Sequence, residues 1–136
     1  MPTPHHLLVI DDEPFIGRIV RLEFERGPYR VSVALDGDEG LRFLRAHPDV
    51  DLVLLDVNMP ARSGLELLAE VRGDPRLRAV PVIMLTAAGQ SATAERAREL
   101  GAAAFVTKPF SPRKLLRQVG AVLGEPALGT DDDEEA

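Results

Sequence analysis

The sequence predicts an α/β fold, a doubly wound (βα)5 three-layer sandwich on a parallel five-stranded sheet of order 2-1-3-4-5. Three observations predict it. Short apolar runs begin near Leu7, Tyr29, Leu52, Val82 and Ala103, about 21 to 30 residues apart. The stretches between them carry apolar residues at helical spacing, with helix caps, so a βα unit repeats five times. Leu7-Leu-Val-Ile10, Leu52-Val-Leu-Leu55 and Val82-Ile-Met-Leu85 are apolar throughout, as strands covered on both faces must be, which makes the first, third and fourth strands central. Tyr29–Ala34 alternates and Ala103–Val106 is rich in small residues, so the second and fifth strands take the edges. Right-handed crossovers covering both faces then lead to the stated order, with a crevice beyond the carboxyl ends of strands 1 and 3, where the winding reverses.

Each helix has its own justification. The first follows Pro14 and carries Ile16, Val20 and Phe24 at i, i+4 and i+8. The second starts near Asp36 and carries Leu41 and Leu44. The third starts near Gly64 and turns Leu65, Leu68 and Val71 inward. The fourth runs from Ser91, with Glu95 just inside, to Gly101, which suits the position after a helix end. The fifth opens with Ser111 as N-cap and Pro112 at the first helical position, and presents Leu115, Leu116, Val119 and Val122.

With 136 residues, 45% of them apolar and 28% charged, the chain is sized for one domain with one packed body. The formal charge of −6 comes from Glu125, Asp131, Asp132, Asp133, Glu134 and Glu135; the first 124 residues balance 16 acids against 16 bases. A neutral body offers no broad basic face, so direct nucleic-acid binding is not expected. Residues 1–124 are expected to form the domain and 125–136 a disordered acidic tail. Without cysteine there is no disulfide, thiolate nucleophile or Cys–zinc site. No apolar run reaches the ~20 residues of a membrane span, and the first residues do not resemble a signal peptide, so no membrane insertion and a cytoplasmic location are expected. His5, His6 and His47 read as solvated surface residues.

The strand ends carry the chemistry. Strand 1 ends in Asp11-Asp12-Glu13, strand 3 in Asp56, strand 4 in Thr86, and strand 5 runs into Thr107-Lys108-Pro109. Gathering Asp11, Asp12 and Asp56 is costly, since two unit charges ~4 Å apart repel by roughly 4 kcal/mol at an effective dielectric of 20. Carboxylates so placed take up protons or splay apart unless a cation sits among them. All-oxygen ligands at a partly hydrated rim, without His or Cys, point to Mg²⁺, with Mn²⁺ able to substitute. Asp56 is the best nucleophile: it ends the central strand, precedes the Val57-Asn58-Met59-Pro60 turn, and would face Lys108 across the crevice. Its attack on phosphorus gives an acyl phosphate, with Lys108 and the metal neutralising the equatorial oxygens and Thr86 donating a hydrogen bond to one of them.

Asp11-Asp12, Leu54-Leu55-Asp56-Val57-Asn58-Met59-Pro60, Gly64, Leu85-Thr86-Ala87, Gly101-Ala102 and Lys108-Pro109-Phe110 together resemble the receiver domain of two-component response regulators, over about residues 6–124. That family has a flavodoxin-like fold and is itself a known case of the 2-1-3-4-5 order. The resemblance implies a phosphorelay switch, not an enzyme acting on a separate substrate. Asp56 would be the phosphoacceptor, served by a sensor histidine kinase or a histidine phosphotransfer protein. Asp12, Asp56 and the Asn58 backbone carbonyl would ligate Mg²⁺, and Asp11 would act through water. Thr86, Lys108 and the Ala87 amide would contact the phosphoryl group, and the peptide before Pro109 would be cis. Phe105 falls at the family's switch aromatic, which rotates inward as Thr86 shifts. Output would pass through the fourth helix, fifth strand and fifth helix to an unknown protein effector. Phe15, Ile19 and Leu22 form a second apolar line on the first helix, read either as scattered surface or as a docking stripe for the phosphodonor.

Two rival readings are a phosphorylation-independent binding module on the same fold and an aspartyl-phosphate phosphohydrolase. The phosphohydrolase is disfavoured because Asn58, two residues after Asp56, cannot act as the general acid. Ala88, two residues after Thr86, has no side chain to position water, so autodephosphorylation is expected to be slow to intermediate.

Overall fold

The computed structural model describes residues 4–87, 89 and 91–124. The expected tail, residues 125–136, and Ala88 lie outside them. The elements are β1 (His5–Ile10), α1 (Pro14–Phe24), β2 (Tyr29–Ala34), α2 (Gly37–Ala46), β3 (Leu52–Asp56), α3 (Gly64–Gly73), β4 (Val82–Ala87), α4 (Ser91–Glu99), β5 (Ala104–Lys108) and α5 (Pro112–Leu123). All strand pairs are parallel, and the sheet order is β2-β1-β3-β4-β5.

The period of two along the central strands separates two cores. Leu8, Ile10, Val53, Leu55, Val82 and Met84 face α2, α3 and α4. Their neighbours Leu7, Val9, Leu52, Leu54, Ile83 and Leu85 face α1 and α5. Every one of these twelve side chains is essentially excluded from solvent, which is why the runs contain no polar residue.

Helix ends follow side-chain chemistry. Asp36 accepts from Glu39 N at the start of α2, and Ser111 accepts from Lys114 N at the start of α5, where Pro112 occupies the first turn. Ser63 and Glu66 form a reciprocal capping box at α3, so the segment after Asp56 is anchored within a few residues of the site. Gly101 has φ 91°, as the end of α4 requires.

Four expectations need correction. On α3 the buried residues are Gly64, Leu67, Leu68 and Val71, so Leu68 and Val71 face inward as expected, while Leu67 joins them and Leu65 is only half-buried against the same core. The fifth strand lies further along, over Ala104–Lys108, and β4 runs on through Thr86 and Ala87. His6 is not a solvated residue of a frayed terminus but is 2% exposed, in phase with Leu8 and Ile10 on the sheet. Its burial is tolerable because both ring nitrogens have partners: Nδ1 lies 2.9 Å from Asp49 Oδ2 and Nε2 lies 2.8 Å from Ser32 Oγ. His47 is half-buried at the end of α2, stacked on Phe43 with centroids 3.8 Å apart.

Gly40 tests the packing of α2 on the sheet. A Cβ there would lie 2.4 Å from Ile10 Cδ1 and 2.8 Å from its Cγ1. Gly40→Ala is therefore expected to lower stability in denaturant titration by ~1–3 kcal/mol despite alanine's better helix propensity; an unchanged or raised midpoint would show that α2 packs differently.

Candidate functional site

β1 and β3 are adjacent parallel strands, so their last residues come out at the same edge of the sheet. Asp11 follows Ile10, held by its own N–H donating to Ala34 O at 3.1 Å, and Asp56 closes β3. Asp11 is fully buried and Asp56 is 2% exposed, whereas Asp12 reaches solvent. Ligand-type oxygens of these three residues all lie within 4.8 Å of one another.

Lys108 comes from the end of β5, two strands away from β3, and its ammonium bridges the acids. Nζ is 2.9 Å from Asp11 Oδ2, 3.1 Å from Glu13 Oε1 and 3.3 Å from Asp56 Oδ1. Burial opposes the charge on Lys108, but the contacts with Asp11 and Glu13 outweigh it and hold its pKa above the ordinary lysine value. The effect on Asp56 runs the other way. Burial first, then the Asp11 charge, push its pKa up to about 6, against the opposing pull of Lys108 and the Asn58 N–H. One cation does not balance this many acids.

Backbone donors complete the arrangement. Glu13 N–H donates to Asp11 Oδ1 at 2.9 Å, and Asn58 N–H donates to Asp56 Oδ1 at 3.3 Å. Asp11 Oδ2 is fully buried, close to Lys108 Nζ, yet receives no well-directed hydrogen bond among the described residues. A buried oxygen with a lone pair left over, beside two further carboxylates, is the donor set a hard divalent cation fits.

Thr86, 3% exposed, stands at the end of β4 one residue beyond Leu85, which pairs with Asp56. Its hydroxyl lies a long 3.4 Å from Ala87 O, and Ala87 itself is exposed at the strand end. The Lys108–Pro109 peptide is cis. Gly64 is required by close approach: a Cβ there would meet Asp56 O at 2.2 Å and Val57 Cα at 2.9 Å, so no larger residue can start α3 this near β3. Phe105 is half-buried on β5 with the Arg98 guanidinium carbon 5.4 Å from its ring centroid. On α1, Phe15 and Leu22 are 59% and 73% exposed, while Ile19 is half-buried.

The structure thus brings Asp11, Asp12, Asp56, Asn58, Thr86, Ala87 and Lys108 to one rim and leaves Phe15, Ile19 and Leu22 on a side face. Sequence reasoning missed Glu13 as a partner of Lys108. No sequence signal marked it; the structure shows Glu13 at the N-cap position of α1 without a side-chain capping bond. A carboxylate at that position that does not cap its own helix is free to reach elsewhere.

A doubly wound sheet with gathered acids facing a lysine at its switch point defines a class of phosphoacceptor module. The family model for the response regulator receiver domain matches residues 7–120, and the chain belongs to that family. Its members are regulatory phosphoacceptors rather than classical enzymes. The chain is 40% identical over 118 residues to the transcriptional regulatory protein ResD of Bacillus subtilis, covering 86% of this chain and 47% of that protein. It is 36% identical over 119 residues to the chemotaxis protein CheY1 of Helicobacter pylori, covering 87% and 96%. Among solved structures, the chemotaxis response regulator CheY4 of Vibrio cholerae superposes with a TM-score of 0.82 at 30% identity, covering 88% of this chain and 99% of that one. The receiver domain of NtrX from Brucella abortus gives 0.80 at 29% identity, covering 88% and 99%. The chain spans about half the length of ResD and of several other curated relatives that it matches. No helix among the described residues is long and apolar enough to cross a membrane.

The raised pKa of Asp56 makes a signed prediction. Between pH 3.8 and about 6 the native state holds a proton there that the unfolded chain has released, so this group's contribution to stability falls as pH rises through that window. In EDTA at pH 7, Asp56→Asn is expected to be more stable than the unsubstituted protein by ~1–3 kcal/mol in urea titrations, with the gap closing near pH 4. A gap that does not change with pH, or a less stable variant at pH 7, would contradict the burial and repulsion described.

Proposed function

We propose that the protein is a phosphorelay switch in which Asp56 accepts a phosphoryl group from a phosphohistidine on a sensor kinase or a histidine phosphotransfer protein. The observation that carries it is the meeting of a nearly buried Asp56 with Lys108 at 3.3 Å beside two further carboxylates. An Asp56 carboxylate oxygen attacks phosphorus in line. The P–O bond forms as the P–N bond breaks, and the donor imidazole leaves with the electron pair. The Lys108 ammonium is in place to compensate charge on the transferred group, and the Thr86 hydroxyl and Ala87 N–H stand at the neighbouring strand end to donate to it.

Asp12, Asp56 and the Asn58 carbonyl are assigned to Mg²⁺, with Asp11 acting through water and Mn²⁺ able to substitute. An ion held there would supply charge compensation for the gathered acids and for the transferred group. Residues 1–124 act as the receiver unit.

Phosphorylation adds about −1.5 to −2 charges beside Lys108 and Thr86. Moving a conformer from 1:99 to 99:1 requires about 5.5 kcal/mol of differential interaction. Bonds from Thr86 and Lys108 to the phosphoryl group exist only after transfer and contribute to that difference. Thr86 moving toward the group opens space for Phe105 to rotate inward, and the α4-β5-α5 face carries the change to a protein effector. Phe15, Ile19 and Leu22 dock the phosphodonor.

Incubation with acetyl phosphate and Mg²⁺, read by intact mass, is expected to add one phosphoryl group to the unsubstituted protein and none to Asp56→Asn. No adduct on the former, or an equal adduct on the latter, would remove the reading and favour a phosphorylation-independent module. For the docking stripe, Phe15→Asp is expected to slow phosphotransfer from the cognate phosphohistidine protein about 10-fold or more, as loss of a central apolar anchor does. Its labelling by acetyl phosphate should be unchanged. Equal protein-to-protein rates would show the stripe to be ordinary surface.

A further inference from the structure

The segment from Val57 to Ser63 carries the Asn58 carbonyl assigned above to the metal. It also contains Ala61, the one non-glycine residue with positive φ among the described residues, at 70°. Across it, Arg62 N–H donates to Pro60 O at 2.7 Å, closing a three-residue turn. An L-residue with a Cβ is strained in this left-handed region and stays there only where its surroundings leave no alternative.

Both ends of the segment are fixed independently. Val57 and Met59 are buried in the core under α2 and α3, and Gly64 N–H donates to Val57 O at 2.8 Å beside the Ser63 capping box. The stretch Pro60–Arg62 has a different restraint. The Arg62 guanidinium forks between two helices, with Nη1 donating to Asp38 Oδ1 of α2 at 2.8 Å and Nη2 to Glu70 Oε1 of α3. Glu70 Oε2 lies 3.5 Å from Arg45 Nη2, and Arg45 Nε lies 3.5 Å from Asp74 Oδ2, so the charges form a chain between α2 and α3. An isolated exposed pair contributes little, but a planar fork on two carboxylates inside a network fixes direction as well as energy.

We propose that Arg62 is a positioning residue for the metal site: by tying the segment to Asp38 and Glu70 it holds Ala61 in its left-handed turn and keeps the Asn58 carbonyl in place for the cation. The inference rests on the metal reading above. Arg62 acts through the backbone, and its partners belong to α2 and α3 rather than to the acid cluster.

The test is a Mn²⁺ titration followed by electron paramagnetic resonance on the unsubstituted chain, Arg62→Gln, Ala61→Gly and the double variant. Arg62→Gln is expected to weaken Mn²⁺ binding about 10-fold, the scale on which supporting partners of metal ligands act. Glycine adopts positive φ without strain, so the double variant is expected to return to within about 3-fold of the starting affinity, and Ala61→Gly alone to stay there as well. Should Arg62→Gln fail to fold by circular dichroism, Asp38→Asn removes one arm of the fork and is expected to show a smaller loss that Ala61→Gly again reverses. Unaltered affinity in Arg62→Gln, or a double variant as weak as the single one, overturns the proposal while the metal reading stands. An unsubstituted chain that binds no Mn²⁺ overturns both.

Discussion

Lys108 Nζ lies within 3.3 Å of carboxylate oxygens from Asp11, Glu13 and Asp56, and this contact holds the carboxyl end of the sheet together. It joins the ends of β1, β3 and β5 and the start of α1 through one ammonium. Unit charges ~4 Å apart in a partly desolvated rim repel by several kcal/mol, more than the net value of a typical hydrogen bond. The rim therefore depends on its cation, and a shortfall remains even then: burial first, and then the Asp11 charge, hold the pKa of Asp56 above the ordinary carboxylate value. That shortfall makes the site responsive. A group that brings charge, whether a divalent ion or a phosphoryl group, changes the balance for every element that contributes a side chain.

The rest of the fold supplies rigidity where the site needs it. The central strands are buried on both faces, so the positions of Asp11, Asp56 and Thr86 are set by close-packed neighbours rather than by loop conformation. Gly64 lets α3 begin against the carbonyl of Asp56, and the capping box fixes that start. On β5 the burial is looser: Ala104, Phe105, Val106 and Lys108 are all only partly covered. The rim thus joins three firmly packed strands to one lightly covered edge.

Much of this was legible in the residue order because it depends on short-range pattern. The period of two in the strands, the period near 3.6 in the helices, and the helix starts at Asp36 and Ser111 are local signals, and parallel strands necessarily deliver their last residues to one edge. The convergence of Asp11, Asp12, Asp56 and Lys108 follows from that geometry. What escaped the sequence depended on partners distant along the chain. His6 is buried because Ser32 and Asp49, 26 and 43 residues away, satisfy its ring. Glu13 reaches a lysine 95 residues on. Leu67 escaped as an inner residue of α3 because Leu65, Leu67 and Leu68 are all leucine, and only the start of the helix against β3 decides how deeply each is buried. The positive φ of Ala61 has no signature in an alanine.

The most direct measurement of the central claim is a Mg²⁺ titration of the isotope-labelled protein at pH 7 followed by amide resonances. The account predicts saturable shifts concentrated on Asp11, Asp12, Asp56 and Asn58 and at the end of β5 around Lys108, with the helical side faces unmoved. A titration that does not saturate, or one whose shifts gather on the acidic residues of the side faces instead, would contradict it.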